Sequence, residues 1–450
     1  MNFCQQPRLP KIIALALCLL LAKASFGLDI NYSGSATAQV GLGLPQTNSN
    51  AGSVLKGDLA VENILKAYHK DITVSAQAIL VCDAAASQSS NGISTFSTGN
   101  GFFAIKLKEA YLDYNGGFWG LRVGRQIAGW GKADGLQVAD VLCPQDESNA
   151  LASTYKESRQ GIDAARLSYM NDFMQADAYW IPIFTPSVLP FAKGNPLHDI
   201  VFPKEYGGFS LTTPKRYDDF DLPSLKIYNG EAAARLSFYF SKFDLSFYGF
   251  YGWEDLPLLT YTATSENTAT VTGEYERLLM FAIDAAVPMG DFVLRAEAAY
   301  FPERRIQTSA KWQAECQEKG TPFSSSEKHH QVRALAGFDW TPAGGWTITA
   351  QYMADIMEGS AANLDRRVYE HLASLSVEKT LLNELLTLSA LVFFDLNDFS
   401  SSVEIEAEYS VTDSFKAALI GNLYFEGKEK GMYGIYKDLS CATLRAKFSF

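Results

Sequence analysis

The sequence predicts an all-β chain folded as a transmembrane antiparallel β-barrel of about 18 strands. Three observations predict it. Segments of about ten residues alternate apolar and polar side chains with a period of 2 from Leu28 to the end of the chain. The gaps between them alternate short and long, as turns and loops at the two ends of a barrel do. After residue 27 no stretch offers 18 consecutive apolar residues, so no helix crosses a bilayer. Strands that close into a barrel still cross one, because closure pairs every backbone group internally.

The first 27 residues stand apart. Arg8 and Lys11 precede the apolar run Ile12–Ala22, and Lys23-Ala-Ser-Phe-Gly follows, with the small residues Ser25 and Gly27 at positions −3 and −1 of a cut before Leu28. This is the pattern of a secretory signal peptide, leaving 28–450 for the barrel. The net charge is −12, and the leader carries three basic and no acidic residues, so the exported chain is more acidic still. That acidity argues against nucleic acid as a partner.

From Leu28 onward the segments pair off. Asp29–Leu44 and Leu55–Ile64 are joined by the polar Pro45–Ser53, and Asp71–Val81 follows a short link. Beyond the Ser-, Asn- and Gly-rich gap Cys82–Gly101, Phe103–Tyr114 and Phe118–Ile127 meet at Asn115-Gly116-Gly117, a tight hairpin turn. Ala128–Gln160 is a long excursion. Ile162–Met170 and Phe173–Trp180 meet at Asn171-Asp172, and seven prolines keep most of Ile181–Tyr228 out of regular structure. Five further hairpins are Glu231–Phe240 with Phe243–Glu254, Tyr275–Val287 with Phe292–Phe301, Val332–Thr341 with Trp346–Ile356, Val368–Lys379 with Leu385–Asp395, and Val403–Val411 with Phe415–Phe425. Glu303–Lys328 reads as a polar loop, and the last strand follows Glu426–Gly431. The count is 18 strands with both ends at the short turns; merging weaker pairs gives 16 or 14.

In the last strand Ala442, Leu444, Ala446, Phe448 and Phe450 share one face, while Cys441, Thr443, Arg445, Lys447 and Ser449 share the other. It resembles the terminal strand of bacterial outer-membrane barrels, whose aromatic last residue is part of the signal read by the assembly machinery. The resemblance implies that Phe448 and Phe450 carry that signal, and that outer-membrane lipid and the barrel-assembly machinery are partners.

Charges assign the lumen. A Lys or Arg on the lipid face near mid-bilayer costs about 2–4 kcal/mol, so mid-strand charges point inward. The candidate lumen or constriction residues are therefore Lys106, Lys108, Arg122, Arg166, Arg235, Arg295 and Arg333, with Glu404, Glu406 and Glu408 on one late strand. Two readings stay open. Opposed rows of charge set a field that selects solutes, or Arg and Glu on neighbouring or facing strands pair to make a polar interior. Lys106–Ala110 breaks the alternation, which implies a bulge near Lys108 or Glu109.

The most distinctive stretch runs from Leu107 to Pro190. It contains Gly124-Arg125-Gln126, Trp130-Gly131-Lys132-Ala133-Asp134, Cys143-Pro144-Gln145-Asp146, and Trp180-Ile-Pro-Ile-Phe-Thr-Pro-Ser-Val-Leu-Pro. Here the chain resembles uncharacterised porin-like outer-membrane barrels with a Gly-Arg-Gln segment, a Trp-Gly-x-x-Asp loop and a Pro-x-Asp turn. The resemblance implies that the Trp-Gly loop folds onto or into the barrel, with Trp130, Asp134, Asp140 and Asp146 near the lumen mouth. The alternative is a surface loop whose Trp anchors it at the membrane interface.

No catalytic constellation accompanies this. His69, His198, His329, His330 and His371 are scattered, and neither Gly-x-Ser-x-Gly nor His-Glu-x-x-His occurs. Cys82, Cys143, Cys316 and Cys441 lack metal-site spacing. No enzyme activity, cofactor or metal is expected. The sequence reads as an outer-membrane channel for small polar or ionic solutes, narrowed by Ala128–Gln160 and Ile181–Tyr228. Two alternatives stay open: a transporter of hydrophobic compounds with Trp130, Trp180 and Ile181–Phe191 as a binding lip, and a plugged structural or adhesive barrel. No interface signal for a homo-oligomer is read, and the oligomeric state stays open.

Overall fold

The computed structural model describes residues 29–45, 51–133, 135–136, 138–148, 155–206, 209–265, 267–428 and 431–450. The signal peptide expected over 1–27 and the site residue Asp134 lie outside them. Eighteen strands form the wall. They are β1 (Asp29–Gly43), β2 (Val54–His69), β3 (Ile72–Asp83), β4 (Phe103–Asn115), β5 (Trp119–Gln126) and β6 (Ile162–Met170). Next come β7 (Met174–Ile183), β8 (Glu231–Tyr239), β9 (Asp244–Trp253), β10 (Arg277–Met289), β11 (Phe292–Gln307) and β12 (Ser326–Trp340). The last are β13 (Trp346–Met357), β14 (Tyr369–Leu381), β15 (Leu386–Asp395), β16 (Ser401–Ser410), β17 (Phe415–Phe425) and β18 (Cys441–Ser449). Each pairs antiparallel with its sequence neighbours, and β1 pairs with β18, so the sheet closes as expected.

Short turns join the strands at one end for local reasons. At Asn171 the side-chain oxygen accepts from the backbone N–H of Met174 at 2.9 Å and of Phe173 at 3.1 Å, an Asx turn that replaces two ladder bonds. Between β4 and β5, Gly117 takes φ +83°, a conformation costly for residues with a Cβ. The expected bulge is present: Gln77 faces Glu109 and Ala78 faces Leu107, leaving Lys108 as the extra residue.

The seam is finished by the terminal residue. Phe450 exchanges backbone hydrogen bonds with Gly34, at 2.8 and 3.0 Å, and its ring packs 5.8 Å from that of Tyr32. A Cβ on Gly34 would stand 2.9 Å from the Phe450 ring, so glycine makes room for the aromatic end. Phe450→Ala is expected to weaken closure by about 1 kcal/mol, since half the ring is buried. A lower temperature of the heat-induced gel-mobility shift would register it.

Two elements depart from expectation. The connection between β9 and β10 contains a hairpin, Leu258–Ser265 with Thr268–Glu274, which joins Phe209–Thr212 and Glu205–Tyr206 in a separate four-stranded sheet. The region read as the polar loop Glu303–Lys328 continues β11 to Gln307, begins β12 at Ser326, and holds helix α1 (Ala310–Lys319) between them. Ser309 caps α1 by accepting from Trp312 N–H, and Gly320 ends it at φ +65°. Gln313 and Gln317, one turn apart, each donate and accept along the hairpin: Gln313 with Leu259 and Tyr261, Gln317 with Tyr261 and Ala263. The helix thus supplies the hydrogen bonds of a missing edge strand, a polar role that apolar periodicity does not register.

Candidate functional site

Along β10 from Leu278 to Ile283 both faces are apolar, and the inward face turns polar only at the buried Asp284. Phe281 and Ile283 point outward and are half exposed, while Leu278, Met280 and Ala282 point inward and are buried. An inward apolar row in a barrel means that protein, not water, covers it. The cover is the excursion after β5: Ala128, Trp130, Leu136, Val138, Ala139, Val141, Leu142 and Cys143 form one cluster with inward residues of β6–β14. The lumen is therefore divided into a dry half, filled by this loop, and a wet half.

The loop is held at its stem by the β4 bulge. The bulge turns both Lys108 and Glu109 inward; Glu109 accepts from the N–H of Ile127 at 2.9 Å, and Lys108 donates to the carbonyls of Glu157, at 2.9 Å, and Arg159. Two adjacent residues thereby grip the two ends of the excursion. Within it, Asp140 accepts from the Trp130 N–H at 3.1 Å and pairs with Arg159. The Trp130 ring lies 5.1 Å from Tyr248 and 6.1 Å from Tyr179, inside the wall. Asp146 pairs with Lys106 at 2.7 Å. Burial opposes the Asp146 charge, but the Lys106 ammonium outweighs it and holds the carboxyl below its usual range. Burial pushes the neighbouring Cys143 thiol up to about 12, so it is an inert apolar group here.

On the far side the loop is fixed by one carboxylate. Glu297 of β11 accepts from the backbone N–H groups of Lys132 (2.6 Å), Ala133 (2.9 Å) and Ala139 (2.6 Å). Gly131, at φ +80°, leaves no room for a Cβ against that carboxylate. Gly135 is pressed against Phe393 of β15, where a Cβ would lie 2.7 Å from the ring. The loop therefore reaches from β4 across to β15. Sequence reasoning did not single out Glu297, which is one of several mid-strand acids and has no motif around it.

The wet half is a cavity of about 810 Å³ between the loop and the inner faces of β1–β4 and β16–β18. Its charged lining is Lys56, Lys106, Lys108, Lys416, Arg445 and Lys447 against Asp58, Glu62, Asp146, Glu157 and Glu408. Ser35, Thr37, Gln39 and Gln77 add neutral polar groups. Of the expected lumen residues, only Lys106, Lys108 and Glu408 line this cavity. Glu406 and Glu408 both pair with Arg445, Glu408 also pairs with Lys416 at 2.7 Å, and Glu404 accepts from Asn422 at 2.8 Å.

The expected basic residues of the middle strands do not face the acidic row across a gap. Arg122 pairs with Asp113 at 3.0 Å, Arg166 (3.9 Å) and Arg235 (2.5 Å) share Asp177, Arg295 pairs with Asp339, and Arg333 pairs with Asp355 at 2.9 Å. Each meets an aspartate on an adjacent strand, with Asp177 shared between two arginines, the pairing alternative of the sequence reading. The apolar lip does not assemble either. Trp180 points outward and is 47% exposed, whereas Trp130 is buried inside the barrel. Phe184 and Leu189 instead pack with Phe202, Phe220 and Tyr275 in a core of the long-loop end.

The fold is shared with solved outer-membrane proteins. Pseudomonas aeruginosa OccK8 (OprE) matches with a TM-score of 0.51 at 9% identity, over 94% of this chain and 98% of that one. OccAB3 of Acinetobacter baumannii matches with a TM-score of 0.49 at 9% identity, over 94% and 99%. The outer membrane channel DcaP of Acinetobacter baumannii matches with a TM-score of 0.44 at 13% identity, over 94% and 97%. At such identities the likeness is one of fold. No curated protein matches the sequence. Residues 31–365, from β1 into the connection before β14, match the family described as "Protein of unknown function (DUF1302)", and the chain belongs to that family.

Proposed function

We propose that the protein is an outer-membrane channel for small polar or ionic solutes, exported by its leader and assembled through its Phe448/Phe450 terminus. The observation that carries the reading is the division of the lumen: a loop docked on one half leaves one charged cavity of about 810 Å³ on the other. Solutes pass between Lys56, Lys106 and Asp146 on one side and Glu408, Arg445 and Lys447 on the other. Charges of both signs in a narrow polar passage reject apolar solutes and replace part of the hydration of polar ones.

Single-channel recording in a planar bilayer, with reversal potentials in asymmetric salt, tests the reading. Stable open steps are expected; a silent bilayer with folded protein would sink it. Replacing Glu404, Glu406 and Glu408 together by Gln leaves Arg445 and Lys416 without their carboxylates. The cation-to-anion permeability ratio is then expected to fall severalfold, whereas an unchanged ratio would place the conducting path elsewhere.

A further inference from the structure

The outward rim of β7–β10 at the long-loop end carries a feature that a channel does not need. Ser224–Gly230 closes on itself: the Asn229 side-chain amide donates to the Ser224 carbonyl at 3.0 Å and to its hydroxyl at 2.8 Å. Arg277 clamps it, donating to the carbonyls of Gly230 (3.1 Å) and Tyr228 (3.3 Å) while its guanidinium lies over the rings of Trp253 (3.9 Å) and Tyr251 (5.0 Å). Trp253 adds a bond from its indole N–H to the Asn229 carbonyl at 2.8 Å. Arg277 shares the outward parity of Phe281 and Ile283, and Tyr251 that of Phe247. The segment is thus pinned to the outside of the wall rather than over the lumen.

There it holds Leu225, Ile227 and Tyr228 at 77%, 81% and 72% exposure, more than any other large apolar side chain among the described residues. Three such groups side by side form an exposed apolar patch, which marks an interaction surface. They continue the outward aromatics Trp180 and Tyr251, the place in a barrel where rings meet headgroups. Just below, an outward-facing groove of about 560 Å³ runs over Ala178, Ala234 and Gly249 between Leu167, Leu236 and Phe247. Of the acidic groups nearby, Glu254 is closed by Arg304 and Glu276 by Arg305, while Glu231 accepts from the Trp253 N–H and partly offsets the Arg277 charge; Lys226, on the loop itself, is exposed.

We propose that Ser224–Gly230 is a lipid-docking loop, which seats Leu225, Ile227 and Tyr228 at the headgroup boundary of the outer leaflet. Lys226 and Arg277 meet the phosphate of an anionic lipid whose acyl chain lies in the groove below. The inference rests on the membrane reading of the barrel but not on conduction. Its support is charge complementarity together with continuity with the lipid-facing wall.

The test uses the full chain in phosphatidylcholine vesicles with and without phosphatidylglycerol, spin-labelled at Ile227→Cys in a Cys82→Ser background, because Cys82 is the exposed thiol. A second label at Ile283→Cys, outward on β10 and outside the groove, reports on the mid-wall. At position 227 collisions with oxygen are expected to exceed those with a water-soluble nickel chelate, and immobilisation is expected to grow as phosphatidylglycerol is titrated in. Lys226→Gln, an exposed change that leaves the fold intact, is expected to raise the titration midpoint about fivefold, the equivalent of about 1 kcal/mol for one basic residue at an anionic surface. Free nickel access at 227 with an oxygen-accessible mid-wall label overturns the lipid-docking loop. So does shielding accompanied by dipolar broadening between copies, which would put a second copy on the patch. Nickel access at the mid-wall itself would overturn the membrane reading instead.

Discussion

Glu297→Ala is expected to release the infolded loop and raise single-channel conductance severalfold. The carboxylate accepts three backbone N–H groups from the loop tip, and each bond to a charged acceptor contributes about 1.5–3 kcal/mol. Losing all three removes at least about 5 kcal/mol from docking and leaves three N–H groups to find water. The stem grips at Lys108 and Glu109 remain, so the loop stays tethered while its tip leaves Glu297 and Phe393. The apolar cluster under the loop still favours burial, so the tip is expected to exchange between docked and undocked positions, giving noisy, larger open steps. Glu297→Gln keeps one acceptor oxygen and should lie between the two. Conductance in Glu297→Ala identical to that of the parent protein would mean that the loop does not bound the passage.

The barrel was legible in the sequence because its signals are local. Period 2, short turns with Gly, Asn, Asp or Ser and an alternating last strand each speak about adjacent residues, and the bulge at Lys108 showed as a broken alternation. What the sequence reading missed depends on contacts made far along the chain. Lys106 and Arg235 look alike as inward bases; one lines the wet cavity and the other is closed by Asp177, and only the fold says which. Helix α1 escaped because it binds its neighbours through Gln313 and Gln317 rather than through an apolar stripe. One signal for the dry half was available. The inward row Leu278, Met280 and Ala282 is apolar opposite an apolar lipid face, which a water-filled lumen would not permit. Strands apolar on both faces mark where a barrel wall is covered from within, as they do in sheets packed on both sides.

Asp177→Ala is expected to destabilise the barrel wall while leaving selectivity unchanged. The Asp177 side chain is fully buried and serves two guanidinium groups, Arg235 at 2.5 Å and Arg166 at 3.9 Å, with Gln175 donating at 3.0 Å. Removing it strands two positive charges without the carboxylate they share. Breaking a buried pair this way costs about 3–5 kcal/mol, and the lower end applies because about a fifth of each arginine side chain is exposed. A marked fall in the temperature of the heat-induced gel-mobility shift is expected. Converting Arg166 and Arg235 to Leu and Met in the same chain should restore it, since apolar replacement of a whole buried ion cluster is near neutral. These strands, β6–β8, lie beneath the loop around Trp130, away from the wet cavity. Folded Asp177→Ala channels should therefore keep the parent ion selectivity, whereas Arg445→Ala, which removes a positive charge from the passage and one of the two cations paired with Glu408, should shift it toward cations. A selectivity change of similar size in both variants would mean that ions also travel through the half that the loop fills, and that the lumen is not divided in the working protein.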